Sequence, residues 1–393
     1  MAPILFLIFT SATLLACSTD DRLSSNAYDP EGDKVATSAT ALSLLPGTLE
    51  SAPIVTDTNA QIVTEKPSSI QTSLPNESQP NVLPIAPEAT QIVSNSEISS
   101  GRQSDAPVIA FTLRPTLCTD EHGPDCTKLR LGDDYLSTTK PASGYLYSCR
   151  GKNPNAPGSI ESNITWINFA DKTWNLLKKL WLPSGEFKPQ DGAYTETESG
   201  DLRQITTNNL PTDNKIGDWP MTNYPELTSI DRNPGVPAPG QFEFTFPTHP
   251  SIAPSPTCVP LGAIGVAKNG VVIYNAADGR GEDAVAREIV DMFGGHPARS
   301  EYHYHFIPER LDSIFLSSGH SDIVGFINDG FPIYGYKGDG GVEMSNNDLD
   351  ICHSHNHGEL GYHYHATMEY PYTVGCYMGL PVQNDTNRTP NPG

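Results

Sequence analysis

The chain has 393 residues with 46 acidic against 24 basic side chains, a formal net charge of -22. Nucleic-acid binding needs clustered Lys and Arg against phosphate, so this balance argues against DNA or RNA as a partner. It favours solubility and the attraction of cations.

The amino terminus runs Met1-Ala2-Pro3-Ile4-Leu5-Phe6-Leu7-Ile8-Phe9 and closes on Leu14-Leu15-Ala16-Cys17. This apolar stretch is too short to span a bilayer and ends in small residues, the pattern of a signal peptide over residues 1–17. Leu14-Leu15-Ala16-Cys17 resembles the lipobox of bacterial lipoproteins. That resemblance implies acylation of Cys17 and export to the cell envelope, periplasm or surface, with membrane lipid as partner through the acyl chain. Without the lipid, the same leader reads as ordinary secretion.

Residues 18–105 are rich in Ser, Thr, Pro, Asn and Ala, with almost no aromatic residues and no hydrophobic period. Such a segment cannot bury a core, so it is expected to be a disordered tether, as is a short tail over 384–393. The folded part is expected over 106–383.

Six further cysteines, Cys118, Cys126, Cys149, Cys258, Cys352 and Cys376, form an even set in a chain bound for an oxidising compartment. Disulfides are the default there. None lies in a Cys-x-x-Cys pair, so zinc-ribbon and thioredoxin readings have no support. The sequence leaves the connectivity open, with 118–126, 149–258 and 352–376 as the expectation.

Alternating runs such as Gln241-Phe242-Glu243-Phe244-Thr245-Phe246, broken by many Pro and Gly, predict strands. One helix is predicted over 282–293, where Val285, Ile289, Val290 and Phe293 recur at helical spacing before Gly294-Gly295. The fold class expected is mainly β, with one or two short helices.

An internal repeat organises the second half of the chain, with units at about 261–320 and 321–380. Residues 265–274 align with 325–334, placing Asn269-Gly270 opposite Asp329-Gly330 between apolar runs. Each unit is predicted to be a hairpin closed by a type I′ turn. Asp291 then matches Asp350, His296 matches His355, and Tyr302-His303-Tyr304-His305 matches Tyr362-His363-Tyr364-His365. Two similar hairpin-containing halves related by a pseudo-twofold repeat are expected. The repeat also bears on Asp329: its counterpart is Asn269, so a turn role accounts for both residues and a catalytic acid for only one.

Nine of the 11 histidines fall between His296 and His365. In a strand, side chains i and i+2 share a face about 6.6 Å apart, near enough for two imidazoles to reach one ion. His303 and His305 therefore form one pair, His363 and His365 another, with the tyrosines on the opposite face. The two pairs either meet at one shared site, or each takes a third ligand, His296 or His355, to make two three-histidine sites. Three histidines with an open position suit a transition metal, zinc or copper. His353 and His357 have no partners in the first half and read as solvated loop; His122 and His249 read as structural. Glu301 and Glu359 are the nearest carboxylates for a base or supporting role.

Together these motifs resemble the YHYH protein family over about residues 166–380. The resemblance is carried by Thr207-Asn208-Asn209-Leu210-Pro211, Leu261-Gly262-Ala263-Ile264-Gly265, Gly295-His296-Pro297, both YHYH runs, Asp329-Gly330-Phe331-Pro332-Ile333-Tyr334-Gly335, and Tyr370-Pro371-Tyr372 through Gly375-Cys376. It implies an exported bacterial protein whose motif is functional, and no particular activity. The chain departs from the family pattern in having Phe293 where a cysteine precedes Gly-His, and in lacking a second cysteine near Arg310. Their joint loss implies that the two were bonded in relatives. The leading expectation is a lipid-anchored histidine-rich metal-binding protein; a zinc hydrolase or copper oxidase, and a surface scaffold with structural histidines, are the alternatives.

Overall fold

The computed structural model describes residues 116–119, 123–185 and 190–382, with a short strand pair, Thr90–Gln91 and Phe111–Thr112. Residues 1–17 with the expected lipidation site Cys17, the rest of residues 18–105 expected as a tether, His122 and residues 384–393 lie outside the described residues. No helix among the described residues is long and apolar enough to cross a membrane.

The elements that position the site are β1 (Tyr194–Ser199), β2 (Leu202–Thr207), α1 (Pro225–Ile230), β3 (Phe242–Pro247), β4 (Ile252–Thr257), β5 (Ala263–Ala267), β6 (Val272–Tyr274) and α2 (Ala284–Arg287). They continue with β7 (Gly295–Ala298), β8 (Glu301–Tyr304), β9 (Ile323–Ile327), β10 (Pro332–Tyr334), β11 (Ser354–His357), β12 (Gly361–His365) and β13 (Tyr377–Gly379). The fold is mainly β. An eight-stranded sheet runs in the order β7-β8-β6-β5-β9-β10-β12-β11.

Each half of that sheet has the same pairing scheme. A hairpin, β5–β6 or β9–β10, is followed by a strand parallel to its second member, with Ile273 opposite Tyr304 and Ile333 opposite Tyr364. The YHYH strand then pairs antiparallel with the strand before it, which sets His296 opposite His303 and His355 opposite His363. The halves join where β5 and β9 run antiparallel, Val266 opposite Phe326. Glycine is required at this seam: a Cβ on Gly265 would lie 2.4 Å from the Phe326 carbonyl oxygen, and one on Gly325 would lie 2.6 Å from that of Val266.

The hairpin turns differ from the expected type I′. Only Gly270 and Gly330 have positive φ, at 91° and 89°. Gly270 donates its N–H to the Ala267 carbonyl at 2.8 Å and Ala267 donates to Val271 at 2.9 Å, with the same pattern at Gly330–Ile327 and Ile327–Phe331. This is a three-residue loop, a type I turn closed by a glycine bulge. The extra residue frees Asn269 and Asp329 from left-handed backbone and turns their side chains inward.

The predicted 282–293 helix is also corrected, since α2 covers only Ala284–Arg287. Asp283 caps its start by accepting from the Ala286 N–H. Glu288 is already extended, and the next backbone groups are taken elsewhere: the Ile289 N–H donates to Asp231 at 2.9 Å, and Met292 donates to the Leu182 carbonyl at 2.8 Å. A parallel bridge between Leu182 and Asp291 thus replaces the next helical turn. The apolar spacing is still used, because Val285, Ile289 and Val290 are all buried in the main core.

Val266, Val272 and Phe326 pack with Ile205, Phe242, Phe244 and Phe246 of a three-stranded sheet, β3-β2-β1. Ile264, Ile273, Ile327, Ile333 and the tyrosines Tyr302, Tyr304 and Tyr364 belong to the larger core, with Trp174, Trp181 and Trp219. Disulfides join Cys118 to Cys126, Cys149 to Cys258 and Cys352 to Cys376.

Candidate metal centres

The alternation of the YHYH strands separates the two residue types. In the parallel register His303 stands beside Val272 and Tyr304 beside Ile273, so the histidines leave the sheet on one side and the tyrosines on the other. The tyrosines anchor the strand. Tyr302 donates to Asp291 and Tyr362 to Asp350, both at 2.8 Å. Asn269 donates to the Tyr304 hydroxyl at 3.0 Å, and Tyr364 donates to Asp329 at 2.6 Å. The repeated Asp and Asn/Asp positions are thereby explained as supports, and Asp329 is a turn residue that holds a tyrosine. Phe293 and Arg310, at or near which the family resemblance leads one to expect cysteines, are in contact: Arg310 donates to the Phe293 carbonyl at 3.1 Å.

On the histidine side there are two clusters. His296, His303 and His305 bring their ligand atoms within 4.8 Å of one another, and so do His320, His355, His363 and His365. A single shared site is ruled out by the sheet order, because β8 and β12 are five strand spacings apart, about 24 Å.

The ring orientations are fixed from behind. His303 donates Nδ1–H to the Glu301 carbonyl at 3.0 Å, and His305 donates to that of Asn275 at 2.5 Å. In the second cluster His363 donates to Gly361 at 2.9 Å, His365 to Gly335 at 2.7 Å and His320 to Ser321 at 2.6 Å. A carbonyl oxygen only accepts, so each Nδ1 carries the proton and each Nε2 presents a lone pair. These lone pairs converge: His303 and His305 have Nε2 atoms 3.1 Å apart, and His363 and His365 3.2 Å; the Nε2 of His355 lies 3.0 Å from that of His363. Neither ring nitrogen of His296 has a hydrogen-bond partner among the described residues.

Burial keeps His296, His303, His305, His363 and His365 neutral. It holds His305 down to about 4 and, with the neighbouring His355, His363 down to about 3. His296, His303 and His365 are pushed well below the ordinary histidine value by burial and by the adjacent rings. Tyr274 stacks on His303 with ring centres 3.8 Å apart, and Tyr334 lies 4.3 Å from His363.

All six histidines expected as ligands are in the clusters. His320 was not singled out by the sequence: it lies outside the repeat's matched motifs, and the offset that superposes the YHYH runs sets it against Pro260. Glu288 was also missed, although its Oε2 is 3.5 Å from His296 Nε2 and 3.8 Å from His305 Nε2. Burial, reinforced by Asp278 and Asp231, pushes its carboxyl well above the usual range. The carboxylates nearest in sequence serve less directly. Glu301 accepts from Tyr274, the ring stacked on His303, and Glu359 is exposed.

His353 is corrected from solvated loop to buried. Left-handed backbone at φ 71° turns its ring inward, where Nε2 meets Thr367 Oγ1 at 3.0 Å. His357 is half-exposed, bonded to Asp339 at 2.8 Å and stacked near His320 and His355. His249 is exposed and belongs to neither cluster.

The arrangement defines a strand-built histidine protein in which one motif is used twice. Residues 243–346 match the model of the YHYH protein family, so this part of the chain carries a YHYH domain. The match spans β3 to β10 and the first YHYH run, and ends before the second. No curated protein and no solved structure matches the chain.

Proposed function

We propose that this is an exported, lipid-anchored protein that binds transition-metal ions, zinc or copper, at two separate histidine sites. His296, His303 and His305 hold one ion; His355, His363 and His365 hold the other. The observation that carries the reading is the pairs His303–His305 and His363–His365, whose Nε2 atoms face one another at 3.1 and 3.2 Å with their Nδ1 protons already committed to carbonyls. Two lone pairs at that distance repel, and burial disfavours the extra proton that would bridge them. A cation relieves the repulsion. Nitrogens bound to one ion at about 2.0–2.1 Å stand about 2.9–3.6 Å apart for ligand angles from a right angle to 120°, which brackets the observed spacing.

The carbonyls behind the rings act as the orienting partners that metal-bound histidines use, and the packing of Tyr274 and Tyr334 limits ring rotation. Export is supported by the leader and by three disulfides, which persist in oxidising compartments. The lipobox-like Leu14-Leu15-Ala16-Cys17 supports an acyl anchor, with the 18–105 segment as the tether between lipid and folded part.

The test is metal analysis of protein purified without a histidine tag and reconstituted with zinc or copper. Two equivalents per chain are expected, and none after reconstitution would refute the reading. Cys17→Ala should release the exported protein from the membrane fraction; unchanged fractionation would refute the anchor.

A further inference from the structure

The two clusters are built by the same repeat, yet each gains one extra donor from a part of the chain the other half does not reproduce. In the first, that donor is Glu288. Its backbone is fixed on both sides: its N–H donates to Ala284 at 3.0 Å, and its carbonyl accepts from buried Lys179 at 2.6 Å. The helix stops at this residue, and the side chain points at the histidines, 3.5 Å from His296 Nε2 and 3.8 Å from that of His305. Its Oε2 is buried and has no hydrogen-bond partner among the described residues.

The second half has nothing equivalent. The offset that carries His296 onto His355 carries Glu288 onto Asn347, next to Asp348. Asn347 and Asp348 are both exposed, and Asp348 is engaged by the backbone N–H and hydroxyl of Ser345 at 3.0 and 2.6 Å. In its place the second cluster has His320, fully buried, with Nδ1 donated to Ser321 and Nε2 unpartnered among the described residues.

We propose, resting on the metal-binding reading above, that the two sites are chemically different: Glu288 completes the first as a three-histidine, one-carboxylate site, and His320 completes the second as a four-histidine site. Carboxylate oxygen suits harder ions and imidazole suits zinc and copper. The first site therefore accepts manganese(II), whereas the second takes zinc or copper and discriminates against manganese. The spacing of the Glu288 oxygen to His296 and His305 agrees, because an oxygen and a nitrogen at about 2.1 Å on one ion at an angle near 120° stand about 3.6 Å apart; the oxygen is not within the 4.8 Å group formed by the three histidines, so the carboxylate closes onto the ion as it binds.

Untagged full-length protein is titrated with manganese(II), read by the electron paramagnetic resonance signal of the free ion, and separately with zinc(II), read by metal analysis. The wild type is expected to bind one manganese and two zinc ions. Glu288→Gln should weaken manganese at least about tenfold while the second cluster keeps its zinc, which also reports that the variant is folded. His320→Ala should leave manganese binding unchanged and weaken one zinc ion. If Glu288→Gln loses both zinc ions through misfolding, Glu288→Ala replaces it, with the same loss of manganese expected.

Manganese binding that survives removal of the Glu288 carboxylate, is lost in His320→Ala, or is absent while two zinc ions bind would overturn the assignment. A wild type that binds no zinc would instead overturn the metal-binding reading beneath it.

Discussion

Asp291→Asn is predicted to destabilise the fold far more than Asp350→Asn, although the two aspartates occupy matching places. Asp291 is fully buried and only accepts. Its Oδ2 takes Gly217 N–H at 2.7 Å, the Tyr302 hydroxyl at 2.8 Å and Trp219 Nε1–H at 3.1 Å. Oδ1 takes the N–H groups of Phe293 at 2.9 Å and Gly295 at 3.2 Å. Whichever way an asparagine amide sits, its NH2 faces two fixed donors. At about 1–3 kcal/mol for each buried donor left unpaired, the cost is about 4 kcal/mol. Asp350 is half-exposed, and its Oδ2 takes only the Tyr362 hydroxyl, which can rotate to accept from an amide. There the cost is about 1 kcal/mol. Urea unfolding of the two metal-free variants beside the wild type measures both. Equal costs, or a larger one at Asp350, would refute the claim that Asp291 is the hub locking the first YHYH strand.

Converting His363 and His365 to alanine should remove one of two bound metal ions, and converting His303 and His305 should remove the other; loss of both from either change would point to coupled sites. Because burial holds His305 down to about 4 and His363 to about 3, protons compete with metal only as the pH falls toward those values. With His363 and His365 changed to alanine to leave the first site alone, and Glu288→Gln to remove its raised carboxyl, zinc affinity is expected to hold nearly constant from pH 7.5 to 5.5, with calorimetry in two buffers showing less than one proton released; a loss centred near 6.5 would contradict this. The same depressed values make the metal-free fold lose stability as the pH drops below about 6.5, since the unfolded chain takes up protons that the buried rings refuse. Changing Cys149 and Cys258 together to serine should cost about 5 kcal/mol, the loop-entropy value for a separation of 109 residues, checked by denaturation of oxidised wild type and variant.

Much of this was legible because the repeat supplies two readings of each position. The hairpins, the Asp before each YHYH run and the pairing of His296 and His355 with the motif all follow from order and periodicity. What escaped depends on contacts between distant segments. The helix over 282–293 has the right spacing, but Asp231 and Leu182 capture the backbone groups of its second turn, and no local signal marks that. Asn269-Gly270 read as a two-residue turn, whereas the loop has three residues, so only the glycine takes positive φ. Glu288 and His320 reach the sites from segments where the two halves do not match, and a search by repeat passes over them. His353 was misplaced because a left-handed backbone at that residue, which no local sequence pattern marks, turns it inward.

The central claim is that Nε2 atoms in each half converge on a cation, and anomalous diffraction from crystals grown with zinc or copper tests it most directly. The account predicts two anomalous peaks per chain, one within about 2.0–2.2 Å of Nε2 of His296, His303 and His305 and one equally close to those of His355, His363 and His365. Peaks bound through Nδ1, or rings that turn away from one another with no peak between them, would contradict it.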